Sequence, residues 1–159
     1  MRVVYHAIGT IHTPFRDVEG VPIQPAAAAG VRGSVQVLPR FVDGLQDLDG
    51  FSHIVLLYHF HLVDGYRLTV TPFLDSRPRG LFATRAPTRP NPIGLSVVRL
   101  LSVEGGTLQI ENVDVVDGTP LLDIKPYVPT FDHHPADREG WLEQARGRVE
   151  SQKADDRFR

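Results

Sequence analysis

The chain reads as one mainly β domain, an antiparallel barrel or sandwich, finished by a single C-terminal helix. Three observations predict it. Short runs rich in Val, Ile, Leu and Thr recur between Gly, Pro and Asp-Gly punctuation. No strand is followed by the Gly-rich turn and helix of a parallel βαβ unit. Finally, 159 residues with 42% hydrophobic content suffice for one core and are too few for two.

Taken in order, residues 3–12 alternate loosely and 34–38 make a short second strand. The run FSHIVLLYHFHL, residues 51–62, is long enough to cross a barrel wall. Period-two alternation puts Ile54, Leu56, Tyr58, Phe60 and Leu62 on its core face, and His53, Val55, Leu57, His59 and His61 on the other. Residues 67–71 form a strand after the Asp64-Gly65 turn. Residues 94–103 and 107–116, separated by Glu104-Gly105-Gly106, read as a hairpin. A last strand at 121–125 follows the turn Asp117-Gly118-Thr119-Pro120. Helix is expected only over 137–151, where Trp141, Ala145 and Val149 recur four apart beside Leu142. The final stretch, SQKADDRFR, reads as frayed.

Composition narrows the chemistry. With no cysteine, disulfide scaffolds, Cys zinc sites and thiol nucleophiles are excluded. The start lacks the unbroken apolar run of a signal peptide, and no segment approaches the roughly 20 apolar residues of a membrane helix. A cytoplasmic protein is expected. The net charge of -2 argues against a uniformly basic nucleic-acid binder. Residues 76–103, however, hold five arginines and no acid, a local positive field suited to a polyanion or a charged small molecule.

Three clusters carry candidate chemistry. In FATRAPTRPNPIG, Pro87, Pro90 and Pro92 fix φ and push Ala86, Arg89 and Asn91 toward extended backbone. The stiff loop presents Arg85 and Arg89, whose planar forks match phosphate or carboxylate; the plainer reading is a tight entry into the next strand. In DVVDGTPLLDIKPY, Asp114, Asp117 and Asp123 surround a forced turn, followed by Lys125 and Tyr127. A carboxylate there can act as a base if burial raises its pKa; the plainer reading pairs Asp123 with Lys125 on one strand face. Third, His59-x-His61 and His133-His134 have metal-ligand spacing but no carboxylates at a matching interval, so no metal is assigned.

Taken in series, IGTIHTPF, PIQP, GLQDLDGFSHIVLLYHFH, RGLFATRAPTRPNPIGLSVVRL and VDGTPLLDIKPYVP resemble the TsaA-like family of tRNA methyltransferases, over about residues 5–131. The resemblance implies a single-domain antiparallel β-barrel over 1–135, with a C-terminal helix and tail over 136–159. It implies a non-Rossmann methyltransferase that takes S-adenosyl-L-methionine as cofactor and tRNA as partner. Its acceptor would be the N6 of N6-threonylcarbamoyladenosine at anticodon-loop position 37, and it would act as a homodimer with the donor near the subunit interface. Donor contacts implied by the family motifs fall on Gln24, Pro25 and Ala26, on Phe60 and His61, on Arg85, on Leu95, and on Asp114, Val115, Val116 and Asp117. Ala26 departs from the glycine common in relatives.

Such an acceptor nitrogen belongs to a urea, so its proton must be removed or polarised. Asp117 and Asn91 are the candidates for that catalytic task. Arg89 and Lys125 suit the threonyl carboxylate or loop phosphates, and Tyr127, like Phe82, offers RNA a stacking face. Two rival readings are a non-enzymatic RNA-binding β-barrel using the same arginines and aromatics, and a metal-dependent hydrolase built on the histidines.

Overall fold

Six strands of the computed structural model close into an antiparallel barrel; the described residues are 1–23, 25–145 and 152–158. They are β1 (Gly9–His12), β2 (Arg32–Val37), β3 (His53–His59), β6 (Ile93–Glu104), β7 (Thr107–Glu111) and β8 (Thr119–Pro126). Around the barrel the order is β1-β2-β7-β6-β3-β8, and β8 returns to pair with β1. That last pairing decides between barrel and sandwich, because it leaves no strand edge unpaired. Two-residue strands β4 (Thr69–Val70) and β5 (Arg79–Gly80) form a separate ribbon on the excursion between β3 and β6.

Alternation fills the interior. From β3, Ile54, Leu56 and Tyr58 turn inward and are buried, as the period-two pattern requires. From β6, Gly94, Ser96, Val98 and Leu100 face the same core. Gly94 has a packing reason: a Cβ there would strike the Tyr58 ring, which lies across the strand, with the Phe60 ring 2.9 Å away. At the far end of β6, Gly105 at φ 60 makes the two-residue hairpin tip, and Glu104 pairs with Thr107.

Several expectations are corrected. The first strand is limited to 9–12, and the strand expected over 67–71 shrinks to Thr69–Val70. The strand expected over 107–116 ends at Glu111, because Asn112 takes a left-handed φ of 66 and its carboxamide oxygen accepts the Gly30 N–H at 2.8 Å. Freed from the sheet, residues 113–116 cross the barrel end. Of the helix expected over 137–151, the described part holds only a 3-10 turn, Gly140–Ala145, where Gly140 at φ 60 breaks the α pattern; 146–151 lie outside the described residues. The only α-helix among the described residues is the single turn α1 (Pro129–Asp132).

Residues 152–158 of the tail are docked, not frayed. Ala154 exchanges backbone hydrogen bonds with the 20–21 segment, its N–H donating to Val21 O and its carbonyl accepting from Gly20, both at 2.9 Å. Phe158 is only 4% exposed and meets Phe73 edge-on at 5.1 Å. Arg157 lies over the Phe73 ring and donates to Pro72 O at 2.9 Å. No helix among the described residues is long and apolar enough to cross a membrane.

Candidate active site

Where β3 ends and β6 and β8 begin, the barrel opens on a cavity of about 340 Å³, within the usual range of small-molecule sites. Tyr58, Phe60 and His61 line it from the end of β3, Leu95 from β6, Arg85 and Arg89 from the proline-rich loop, and Asp114, Val115 and Val116 from the segment crossing the barrel end.

The loop is held by more than its prolines. Thr84 Oγ1 donates to Leu81 O at 2.8 Å and accepts the Ala86 N–H at 3.2 Å. Arg89 folds back on its own loop, donating to Thr84 O at 2.9 Å and Ala86 O at 3.3 Å, with its guanidinium 5.6 Å from the Phe82 ring centre. Phe60 N–H donates to Pro92 O at 2.8 Å and ties the exit of β3 to the Asn91-Pro92 segment.

A polar chain runs from the core into this cavity. Ser96, 1% exposed, donates to Asp114 Oδ1 at 2.5 Å. Tyr58 Oη lies 2.9 Å from Ser96 Oγ, and since the serine hydrogen goes to the carboxylate, the phenol donates here. Burial pushes the half-buried Asp114 carboxyl up to about 6, against the lowering pull of the Ser96 hydrogen bond and the Arg85 charge. Tyr58 is raised far above the ordinary phenol range, first by burial and then by the Asp114 charge. His61 is lowered, first by burial and then by His59.

Other sequence candidates lie elsewhere. Asp117 Oδ1 accepts the Thr13 N–H at 3.1 Å and lies 3.3 Å from His12 Nδ1, so its carboxylate turns toward the residues after β1 and does not line the cavity. The Thr13 hydrogen bond holds it below the usual carboxylate range. Asn91 is exposed and outside the cavity lining, its carbonyl accepting the Ile93 N–H at 2.8 Å. Lys125 pairs with Asp123 at 2.8 Å, as the plainer reading of that strand held. Tyr127 meets the His53 ring edge-on at 6.3 Å. Both belong to the opposite end of the β3–β8 ladder, where Lys125 stands across from Val55. Gln24 lies outside the described residues; Pro25 and Ala26 fall in the 3-10 turn Pro25–Ala28, next to Ile23, which lines the cavity. Among the described residues no cluster of histidines and acids could hold a metal ion.

Ser96, Tyr58 and Phe158 also belong to this region and went unassigned in the sequence. The alternation of β3 and β6 already turns Tyr58 and Ser96 inward; nothing local marks Phe158.

Residues 10–133 match the family described as the tRNA-methyltransferase O (TrmO) N-terminal domain. The chain belongs to that family. It is 51% identical over 158 residues to a probable S-adenosyl-L-methionine-binding protein of Pyrococcus abyssi, covering 99% of this chain and 86% of that one. It is 38% identical over 135 residues to the tRNA (adenine(37)-N6)-methyltransferase of Escherichia coli, covering 79% of this chain and 57% of that one. The crystal structure of TrmO from Pseudomonas aeruginosa matches with a TM-score of 0.75 and 40% identity, over 89% of this chain and 63% of the crystallised one. The chain thus spans a little under two thirds of that TrmO.

The cavity's chemistry suits the group such relatives bind. Phe60, Leu95, Val115 and Val116 give apolar walls, Arg85 a guanidinium for a ligand carboxylate, and Asp114 a carboxylate at the same wall.

Proposed function

We propose that this TrmO-family chain is a cytoplasmic, S-adenosyl-L-methionine-dependent tRNA adenine-N6 methyltransferase whose acceptor is N6-threonylcarbamoyladenosine at position 37. One observation carries the reading: Asp114, a carboxylate bonded by Ser96 and within the field of Arg85, stands in a cavity that joins apolar walls to Arg85, Arg89 and His61 from separate segments.

The donor, when bound, supplies a methyl group already activated by its sulfonium, so the chain need only align it and exclude water. Phe60, Leu95, Val115 and Val116 would flank it, and Arg85 would hold its carboxylate. Asp114 would take the N6 proton that methyl transfer displaces. A carboxylate of pKa about 6 is ionised at neutral pH and is a stronger base than an ordinary aspartate. Ser96, itself held by Tyr58, fixes which carboxylate oxygen stays bonded and which is free for the proton. Asp117, bonded to Thr13 and held low, is the weaker base, so Asp114 takes the role.

The homodimer is part of this proposal. Ile93 and Leu95 on the outer face of β6 are each more than a third exposed, and they offer two copies a shared apolar surface beside the cavity.

Incubation with methyl-labelled donor and total tRNA, followed by digestion to nucleosides, tests the reading. Label in N6-methylated threonylcarbamoyladenosine is expected. Label in plain N6-methyladenosine overturns the finer acceptor, and RNA binding with neither donor-induced thermal stabilisation nor label overturns the enzyme in favour of a binding barrel.

A further inference from the structure

A second cavity, about 530 Å³, adjoins the first and shares Ile23, Phe73, Thr84, Arg85, Pro87 and Phe158 with it. Its other walls include Phe82 and Trp141. Phe82 is 75% exposed, a flat apolar face left in water although a barrel core lies close by. The Trp141 indole N–H donates to Ala83 O at 2.8 Å, which pins the ring to the chain next to Phe82. Each ring has a guanidinium near its face: Arg89 at 5.6 Å from the Phe82 centre and Arg79 at 5.8 Å from the Trp141 centre. Both cations belong to the arginine-rich 76–103 segment; Arg79 is paired with Asp75 at 2.6 Å, so the positive field comes from the other arginines, Arg89 among them.

An exposed ring and a part-buried ring, each beside an arginine, suit an unstacked base on a negatively charged strand. The rings take the base by its π-face, and the positive field holds the flanking phosphates. An acidic peptide would use the field but would leave the two flat faces unmatched.

Resting on the methyl-transfer reading above, we propose that this second cavity is the acceptor-base site, where an adenine swung out of a single-stranded RNA loop stacks on Phe82 and Trp141 beside the donor cavity. The base stacks in the second cavity, and its N6 edge reaches past the shared Thr84, Arg85 and Phe158 into the first, which Asp114 lines.

Trp141 is the sole tryptophan, so its emission reports on this cavity directly. The test titrates a short single-stranded RNA carrying one adenine, and the same RNA abasic at that position, into the wild-type chain, Phe82→Ala and Phe82→Tyr. Expected are quenching by the adenine RNA, binding about 10-fold weaker for the abasic RNA and for Phe82→Ala, recovery in Phe82→Tyr, and persistence of the quench in saturating S-adenosylhomocysteine. Equal affinities for all RNAs and variants overturn the site, as does quenching by S-adenosylhomocysteine in competition with RNA, which would give this cavity to the donor. The two proposals fail separately. A chain that quenches with RNA but never labels it overturns methyl transfer and leaves a base-binding cavity. A chain that labels tRNA with an unchanged KM in Phe82→Ala overturns the base site and leaves the transfer.

Discussion

Asp114 and Asp117 are the same residue type three positions apart, yet one turns into the barrel mouth and the other out against the turn after β1. At the mouth, few groups solvate the charge, and burial raises Asp114 to about 6 despite the Ser96 hydrogen bond. At the turn, the Thr13 N–H and the His12 ring face an open carboxylate, and Asp117 is lowered. Proton affinity is therefore assigned by where the backbone turns between them, not by the DVVD sequence.

The strongest way to break this comparison is to remove each charge without changing shape. Asp114→Asn is expected to lower methyl transfer by about 100- to 10,000-fold, with donor affinity by calorimetry changed much less. Equal losses in Asp114→Asn and Asp117→Asn would end the distinction. The next effect is on stability against pH. Folded Asp114 holds its proton more tightly than the unfolded chain does, so its contribution falls by about 3 kcal/mol as pH rises from about 3.8 to about 6. Asp117 has the opposite sign: its contribution is present above the ordinary carboxylate range and is lost as pH falls below it. Urea midpoints across pH 3 to 7 in wild type and both Asn variants should therefore show two opposing slopes removed one at a time; a shared sign would refute the assignment.

A smaller effect, about 1–3 kcal/mol of destabilisation, is expected for Gly94→Ala, which drives a methyl into the Tyr58 ring behind the Ser96–Asp114 chain. An unchanged urea midpoint would mean that Tyr58 can shift without disturbing the mouth. Smallest of all, Asp117→Asn should stay within about 0.5 kcal/mol at neutral pH, because the amide oxygen can still accept from Thr13. A loss of several kcal/mol would make that turn, and not the mouth, the critical acid.

Much of the fold was legible in the sequence because local signals and tertiary packing agree. The inward face of β3 follows from alternation through Ile54, Leu56 and Tyr58, and the β6–β7 tip follows from Gly105-Gly106. The site was legible only in part. Motifs pointed to Phe60, His61, Arg85, Leu95, Asp114, Val115 and Val116, which line one cavity, but not to the difference between Asp114 and Asp117, which arises from burial of the first at the barrel mouth and from the Thr13 N–H, distant in the chain, on the second. Spacing at Trp141 and Ala145 suggested an α-helix, whereas Gly140 in the left-handed region and the Trp141 bond to Ala83 favour a tighter turn. The tail looked frayed because its polar composition hides one anchor, Phe158, whose partners Val70, Leu81 and Ala86 lie about 70 to 90 residues earlier.

Phe158 stands in the partition between two chambers. A ligand in one chamber that displaced that ring would reshape the other, and thermodynamic reciprocity would then demand the same factor in both directions. A stretch of chain that looks dispensable on composition is thereby positioned to make two binding events speak to each other.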